Sequence, residues 1–395
     1  MRKTVIFNVM LWAIVLSVSG LYSCRKPDSQ TADKGFVPHP EKVAKQEVLT
    51  LGIGSSAPDF ILPDIDGKFY GLSDFHDAKI LVLLFTCNHC PTAQAYEDRV
   101  IQFTKDYKSK GVQLVAIMPN STNALLPEEC GYTDLNDSYA EMQTRAKDKS
   151  YNFPYLYDGD NQAIAIKYGP VATPHVFVFD NARKLRYVGR IDATEKPGTA
   201  NAEDLRAAVD ALLAGNQVEH PANKSFGCSV KWGWKDEYGL KVEKEWNEKP
   251  VSLQELKEKE IKELVSNPSK KLRLINVWAT WCAPCVAEFP DLVMLQRMYG
   301  QRSFEFVSLS ADKSKDYDNA LTFLQAKHSS IKNYLFDGSD NYKLIEAVDS
   351  VWNGALPYTL LVEPGGKIVY RSTGPVDLLE LKKAIVDHPM IGRYY

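Results

Sequence analysis

Leu272-Arg-Leu-Ile-Asn-Val-Trp278 runs through Ala279-Thr280-Trp281 into Cys282-Ala283-Pro284-Cys285, and a helical pattern follows from Val286 to about Tyr299. A β-rich, mostly apolar run reads as a strand, and where the run is continuous, as in the earlier copy below, as a strand buried on both faces. The two cysteines then fall where that strand turns into a helix. The same order occurs earlier: Lys79-Ile-Leu-Val-Leu-Leu-Phe85, then Cys87-Asn88-His89-Cys90-Pro91, then a helical pattern from Thr92 to about Tyr107. Downstream, Tyr157-Asp158-Gly159-Asp160-Asn161 has its counterpart in Phe336-Asp337-Gly338-Ser339-Asp340-Asn341. Ala172-Thr173-Pro174-His175 has one in Ala355-Leu356-Pro357-Tyr358, each leading into a strand (Val176–Phe179; Thr359–Val362). Each copy closes with another strand (Lys184–Gly189; Lys367–Arg371) and a last helix (Ala202–Ala214; Leu378–Val386). The economical reading is two tandem copies of one α/β domain.

The 395 residues fit two or three domains, with 45% apolar and 25% charged residues, as in soluble globular chains. A formal charge of −3 offers no basic face for nucleic acid. At the N-terminus, Arg2 and Lys3 precede an apolar run from Val5 to Leu21, the pattern of an export signal. Leu21-Tyr22-Ser23-Cys24 resembles the bacterial lipoprotein box, which implies a signal peptide over 1–23 and lipidation at Cys24. The expected location is the cell envelope, facing the periplasm and held to a membrane by the lipid. Residues 24–50 are polar and contain prolines, as in a flexible tether. The domains are then expected at 51–232 and 251–395, joined by a charged, tryptophan-rich linker at 233–250. The first copy alone carries a Pro/Asn/Glu-rich segment from Pro119 to about Ser138, expected as a surface loop or short helix near the strand ends. The second is preceded by its own helical segment, Leu253 to Val265.

The seven cysteines are too few for a disulfide scaffold, and four of them form the two C-x-x-C pairs. A thiolate is the species that attacks a disulfide, and a helix N-terminus lowers a thiol pKa with unpaired N–H groups and its positive dipole end. Cys87 and Cys282 are expected in that place and more exposed, with Cys90 and Cys285 one turn on to resolve a mixed disulfide. A Cys₄ zinc site would normally space its pairs by 15–20 residues, whereas about 190 separate these. Neither pair is followed by histidine, so the motif for covalent haem is missing. Copper stays open, with Cys87, Cys90 and His89 or His175 as soft ligands. An exchange reaction needs no metal, flavin or nicotinamide, because the cysteines carry the electrons.

Strand, C-x-x-C at a helix start, and a distant apolar-Pro or Thr-Pro before a strand resemble the thioredoxin superfamily. That implies two tandem thioredoxin folds, each a central mixed β-sheet flanked by helices. The second copy, with Trp281-Cys282-Ala283-Pro284-Cys285 and Glu288-Phe289-Pro290, is similar to the TlpA/ResA-type thiol–disulfide oxidoreductases. The first, with Phe85-Thr86-Cys87-Asn88-His89-Cys90-Pro91 and Phe226-Gly227-Cys228-Ser229-Val230-Lys231-Trp232, is similar to the AhpC/TSA-like redoxin or peroxiredoxin branch. The resemblance implies redox-active disulfides Cys87–Cys90 and Cys282–Cys285, and exchange with protein thiols and an envelope redox partner. It implies cis-prolines at Pro174 and Pro357, whose neighbours Thr173 and Leu356 offer backbone groups to an extended substrate. His89 sits as in the oxidant DsbA, where it would stabilise the Cys87 thiolate, or it faces solvent. Asn276 replaces the buried acid of thioredoxin; Glu288 is then the candidate acid, or simply a helix-start charge. Peroxiredoxins place Thr or Ser three residues before the peroxidatic cysteine; before Cys87 that position is Leu84, which argues against a thiol peroxidase. Cys130 and Cys228 are two buried or loop cysteines, or else a mutual disulfide or a relay thiol beside Cys87.

Overall fold

Among the described residues, eleven strands gather into two mixed sheets, each built around one of the apolar runs quoted above. The computed structural model describes residues 36–338 and 340–393. The expected signal peptide and Cys24 lie outside these described residues. No helix among them is long and apolar enough to cross a membrane.

In the N-terminal half a short hairpin, β1 (Ile61–Pro63) and β2 (Phe69–Gly71), precedes β3 (Ile80–Phe85), α1 (Pro91–Tyr107) and β4 (Val112–Met118). Then come α2 (Tyr139–Lys149), β5 (Tyr155–Tyr157), α3 (Ala163–Tyr168), β6 (His175–Phe179), β7 (Leu185–Gly189) and α4 (Glu203–Leu213). The sheet order is β5-β4-β3-β6-β7, parallel across β5, β4 and β3 and antiparallel beyond. Every residue of β3 is buried because helices cover both faces, which is why its sequence never alternates.

Helix α5 (Asp236–Asn247) leads into the C-terminal half: β8 (Gln254–Leu256), α6 (Glu258–Ser266), β9 (Leu272–Trp278), α7 (Ala283–Tyr299), β10 (Phe304–Ser310) and α8 (Tyr317–Ala326). It continues with β11 (Lys332–Phe336), α9 (Asn341–Val348), β12 (Tyr358–Val362), β13 (Ile368–Thr373) and α10 (Leu378–Val386). Its order, β13-β12-β9-β10-β11-β8, repeats the first sheet and adds β8 at the edge. Both halves are thus thioredoxin-type α/β folds, with the C-x-x-C segment at the end of the central strand.

Three expectations need correction. The tether expected over 24–50 is pinned to the fold at points from residue 36 onward, where the Phe36 ring meets Tyr139 edge-on at 5.0 Å and Val43 is buried, while most residues between them and up to 50 are exposed. The linker at 233–250 is mostly helix α5, whose Trp246 packs against the C-terminal core and donates from Nε1 to the His328 carbonyl. The segment at 119–138 does form short helices, 3₁₀ turns at Thr122–Ala124 and Pro127–Cys130, but it is not a surface loop. Cys130 lies in the core of the C-terminal half, Tyr299 Oη donates to the Thr133 carbonyl at 2.8 Å, and Arg302 stacks 3.8 Å over the Tyr132 ring. It forms the seam between the halves. Its polar composition hid this, because residues more than 160 positions away supply its partners.

Candidate active site

In the C-terminal half, Cys282 is the N-cap of α7 and its sulfur accepts from the Cys285 amide at 3.4 Å. Cys282 and Cys285 are joined as a disulfide. Thr280 fixes the preceding loop through two hydrogen bonds to Asp312, at 2.9 and 2.7 Å. Trp281 beside it is 69% exposed, an apolar platform at the mouth of the site. Pro357, at the start of β12, follows a cis bond from Leu356. Within the sheet, Asn276 on β9 donates to Thr359 Oγ1 at 3.0 Å and to Glu288 Oε1 at 3.2 Å. The other Glu288 oxygen accepts from the Val376 amide at 2.9 Å. Burial pushes the Glu288 carboxyl above its ordinary range, although both donors oppose the shift. It is a buried, hydrogen-bonded acid on the inner side of α7, not a solvent-facing helix-start charge.

The N-terminal centre is built differently. Cys87 and Cys90 are free thiols, and Cys90, not Cys87, is the N-cap of α1. Pro91 disfavours helical geometry at the residue before it and starts the helix itself. Cys87 therefore stays in the loop after β3, and the expectation that it occupies the first helical turn is corrected. Cys87 and Cys90 are enclosed, at 3% and 0% exposure, and Cys282 is buried at 6%, so the expected exposure of Cys87 and of Cys282 is corrected too. Cys87 Sγ lies 3.1 Å from Thr173 Oγ1. Cys90 Sγ accepts from the Cys228 amide at 3.2 Å and lies 3.1 Å from the Thr173 carbonyl, just before the cis bond to Pro174.

The electrostatics follow this placement. Burial disfavours a thiolate at Cys90, but hydrogen bonds from the Cys228 and Cys87 thiols and the positive His89 reverse the sign and hold Cys90 well below the ordinary thiol range. Burial, then the Cys90 and Asp137 charges, push Cys87 well above it. The contact with the Thr173 carbonyl is the one that suits a protonated Cys90; the amide and thiol donors outweigh it. His89 is fully enclosed and does not face solvent. Its Nδ1 pairs with Asp137 Oδ2 at 2.6 Å. Burial works against its charge, but the Asp137 carboxylate offsets this and raises the imidazole pKa. The expected His89 effect is thus redirected, from Cys87 to Cys90.

Asp137 was not singled out from the sequence. Its carboxylate accepts from the Asn88 and His89 amides and from Asn120 Nδ2, at 2.9, 3.0 and 2.7 Å. It lies 48 residues from His89 and no local motif marks it. Cys130 and Cys228 do not form a mutual disulfide: Cys228 sits at Cys90, whereas Cys130 is in the seam with its sulfur 3.6 Å from the Leu126 carbonyl. Cys87, His89 and Asp137 place ligand atoms within 4.8 Å of one another, although both Asp137 oxygens are already engaged. His175 is outside this group, and burial pushes its pKa down to about 4. With Cys90 as the capping thiol, the position three residues before it is Cys87, again neither Thr nor Ser.

Comparisons with known proteins follow the same division. Residues 53–188 match the AhpC/TSA family model, and residues 246–385 match the Redoxin model. The thiol-disulfide oxidoreductase ResA of Oceanobacillus iheyensis is 28% identical over 29% of this chain and 55% of its own length. The thiol:disulfide interchange protein HelX of Rhodobacter capsulatus is 31% identical over 27% of this chain and 54% of its own. The chain spans about half the length of these curated relatives. The crystal structure of a hypothetical protein from Sinorhizobium meliloti is 34% identical, covers 48% of this chain and 98% of its own, and superposes with a TM-score of 0.42. The chain carries two tandem redoxin-type domains on thioredoxin folds, an AhpC/TSA-family domain followed by a Redoxin-family domain.

Proposed function

We propose that this protein is an exported thiol–disulfide oxidoreductase with two C-x-x-C centres, in domains at 51–232 and 251–395. The carrying observation is the Cys282–Cys285 disulfide at the N-cap of α7, flanked by exposed Trp281 and cis-Pro357. A substrate thiolate attacks that disulfide, or Cys282 as thiolate attacks a substrate disulfide, with Cys285 closing the cycle and Glu288 holding a proton below the pair. The likeness to ResA, a thiol-disulfide oxidoreductase, and to HelX, a thiol:disulfide interchange protein, supports this reading. The Cys282/Cys285 dithiol would pass electrons on to the Cys87–Cys90 disulfide, and a lipid at Cys24 would hold the chain to an envelope membrane.

The test uses the whole chain and a protein disulfide such as insulin. Turnover is expected for the wild type, none for Cys282→Ser, and an accumulating mixed disulfide for Cys285→Ser. Turnover retained in both variants would reject the assignment.

A second reading is favoured by one observation: His89 Nε2 is buried without a hydrogen-bond partner, and His89 and Cys87 place ligand atoms within 4.8 Å of one another. A Cu(I) site using Cys87, Cys90 and His89 predicts stoichiometric copper retained through dialysis and lost in His89→Gln.

A further inference from the structure

The segment from Ser225 to Lys231 lies across cis-Pro174 as an extended ligand would. Cys228 pairs with Thr173 in an antiparallel bridge: the Thr173 amide donates to the Cys228 carbonyl at 2.9 Å. Ser225 Oγ donates to the Pro174 carbonyl at 2.6 Å, and the Lys231 amide donates to Asn120 Oδ1 at 2.9 Å. Gly227 permits the close approach, since at φ +139 a Cβ there would stand 2.1 Å from the Thr173 carbonyl oxygen. In the C-terminal half the corresponding Leu356 has no such backbone partner among the described residues. One groove is open and the other is filled by the chain itself, with a cysteine set against the capping thiol.

We propose that Cys228 is a third redox-active sulfur, that Cys90 bonds alternately to Cys87 and to Cys228, and that Cys228 is the sulfur through which the N-terminal centre meets a partner's dithiol. The inference rests on the exchange activity proposed above. Access decides the port: the thiolate of a partner protein must reach the sulfur that it attacks, and Cys87 and Cys90 are enclosed whereas Cys228 is only half-buried. Chemistry agrees with it. The Cys90 hydrogen bond is the main influence raising the Cys228 thiol pKa, with burial next and Lys231 opposing. Once Cys90 is bound in a disulfide, that restraint is gone.

In the oxidised chain, Cys228 gives up its proton and attacks Cys90. The Cys90–Cys228 bond forms, the Cys87–Cys90 bond breaks, and Cys87 leaves and takes up a proton, with no net change in electrons. A partner thiolate then attacks the half-buried Cys228 sulfur and displaces Cys90, which leaves as the thiolate at the N-cap of α1. The partner's second thiol closes the partner's own disulfide and releases Cys228. Two electrons and two protons have passed from the partner dithiol to the chain.

The test is disulfide mapping by mass spectrometry on the full-length chain, with reduction kinetics beside it. Cys87→Ser, oxidised with diamide and then alkylated, is expected to hold Cys90 linked to Cys228 in most molecules. Free, alkylated Cys90 and Cys228 would overturn the proposal. Reduction of the Cys87–Cys90 disulfide by reduced thioredoxin is expected to slow at least ten-fold in Cys228→Ser, and reduction by dithiothreitol to slow less; equal rates in wild type and variant would overturn it as well. Insulin turnover on the unmutated chain, run in parallel, separates the two readings: its loss counts against the proposed function, whereas the mapping still decides the place of Cys228.

Discussion

Helices α1 and α7 are both seventeen residues long and both end in tyrosine, yet the cysteine that caps them is the second of its pair in one half and the first in the other. Proline placement makes the difference. Pro284 lies between Cys282 and Cys285 and leaves Cys282 at the cap, whereas Pro91 follows Cys90 and moves the start of the helix three residues along the motif. Identical spacing therefore puts the helix dipole on opposite members of the two pairs. The sulfur best placed to carry negative charge changes with it.

The largest effect expected from this contrast is on thiolate formation. In a reduced chain with Cys282 and Cys285 both replaced by serine, thiolate absorbance below neutral pH should come from Cys90, because burial holds Cys87 and Cys130 up and the Cys90 hydrogen bond does the same for Cys228. Adding Cys90→Ser should remove the signal entirely, and adding Cys87→Ser should keep it. The reverse pattern in an ultraviolet pH titration would refute the exchange of roles.

Next in size is the difference in potential. Stabilising the Cys90 thiolate stabilises the reduced dithiol, so Cys87/Cys90 is expected to be the more oxidising centre, as the proposed relay from Cys282/Cys285 requires. His89→Gln removes the charge but leaves Asp137 its three other donors. A loss of one pKa unit of thiolate stabilisation corresponds to about 1.4 kcal/mol, or about 30 mV for this two-electron couple. Equilibration with glutathione buffers should show the N-terminal potential falling by about that amount, with the C-terminal potential unmoved. An unchanged N-terminal value would remove His89 as the cause.

Much of this contrast was legible in the sequence. The apolar runs gave the central strands, and the β9 and α10 boundaries expected from pattern are those observed. Both Pro174 and Pro357 follow cis bonds. The capping role of Cys90 could have been read from Pro91, since the residue before a proline resists helical geometry. What pattern does not carry is long-range polar pairing. Asp137 is one acid in a polar stretch, and only the folded chain brings it under His89. The seam at 119–138 reads as loop because its burial comes from Tyr299, Arg302 and Arg393 in the other half.

A smaller effect is expected at Glu288. Its carboxyl pKa is raised, so it keeps its proton to higher pH than an exposed glutamate and gives it up as pH rises through the folded value. Protonated, it can supply the proton that a leaving Cys285 thiolate needs. In Glu288→Gln, reduction of the Cys282–Cys285 disulfide by dithiothreitol should slow by roughly ten-fold at acidic pH, at or below the low end of general-acid contributions. The ratio of wild-type to variant rate should decline toward one above the Glu288 pKa. A ratio independent of pH would leave Glu288 a structural role alone.

The smallest effect separates the two terminal tyrosines. Tyr107 Oη donates to Asp210 within its own half at 2.9 Å, and Tyr299 Oη donates to the Thr133 carbonyl in the seam at 2.8 Å. Removing either hydroxyl deletes one hydrogen bond, but the consequences differ. Asp210 is reached by water after Tyr107→Phe, so the cost should stay at the low end of the 0.5–1.5 kcal/mol range, roughly 0.5 kcal/mol. Thr133 is buried, and Tyr299→Phe leaves its carbonyl without that donor, which costs about 1–3 kcal/mol. The seam links the halves, so the second substitution should also weaken their coupling and spread a single thermal transition toward two. Calorimetry on the two variants decides between local and shared packing. If Tyr299→Phe costs no more than Tyr107→Phe and unfolding stays a single transition, the seam carries less of the fold than its burial implies.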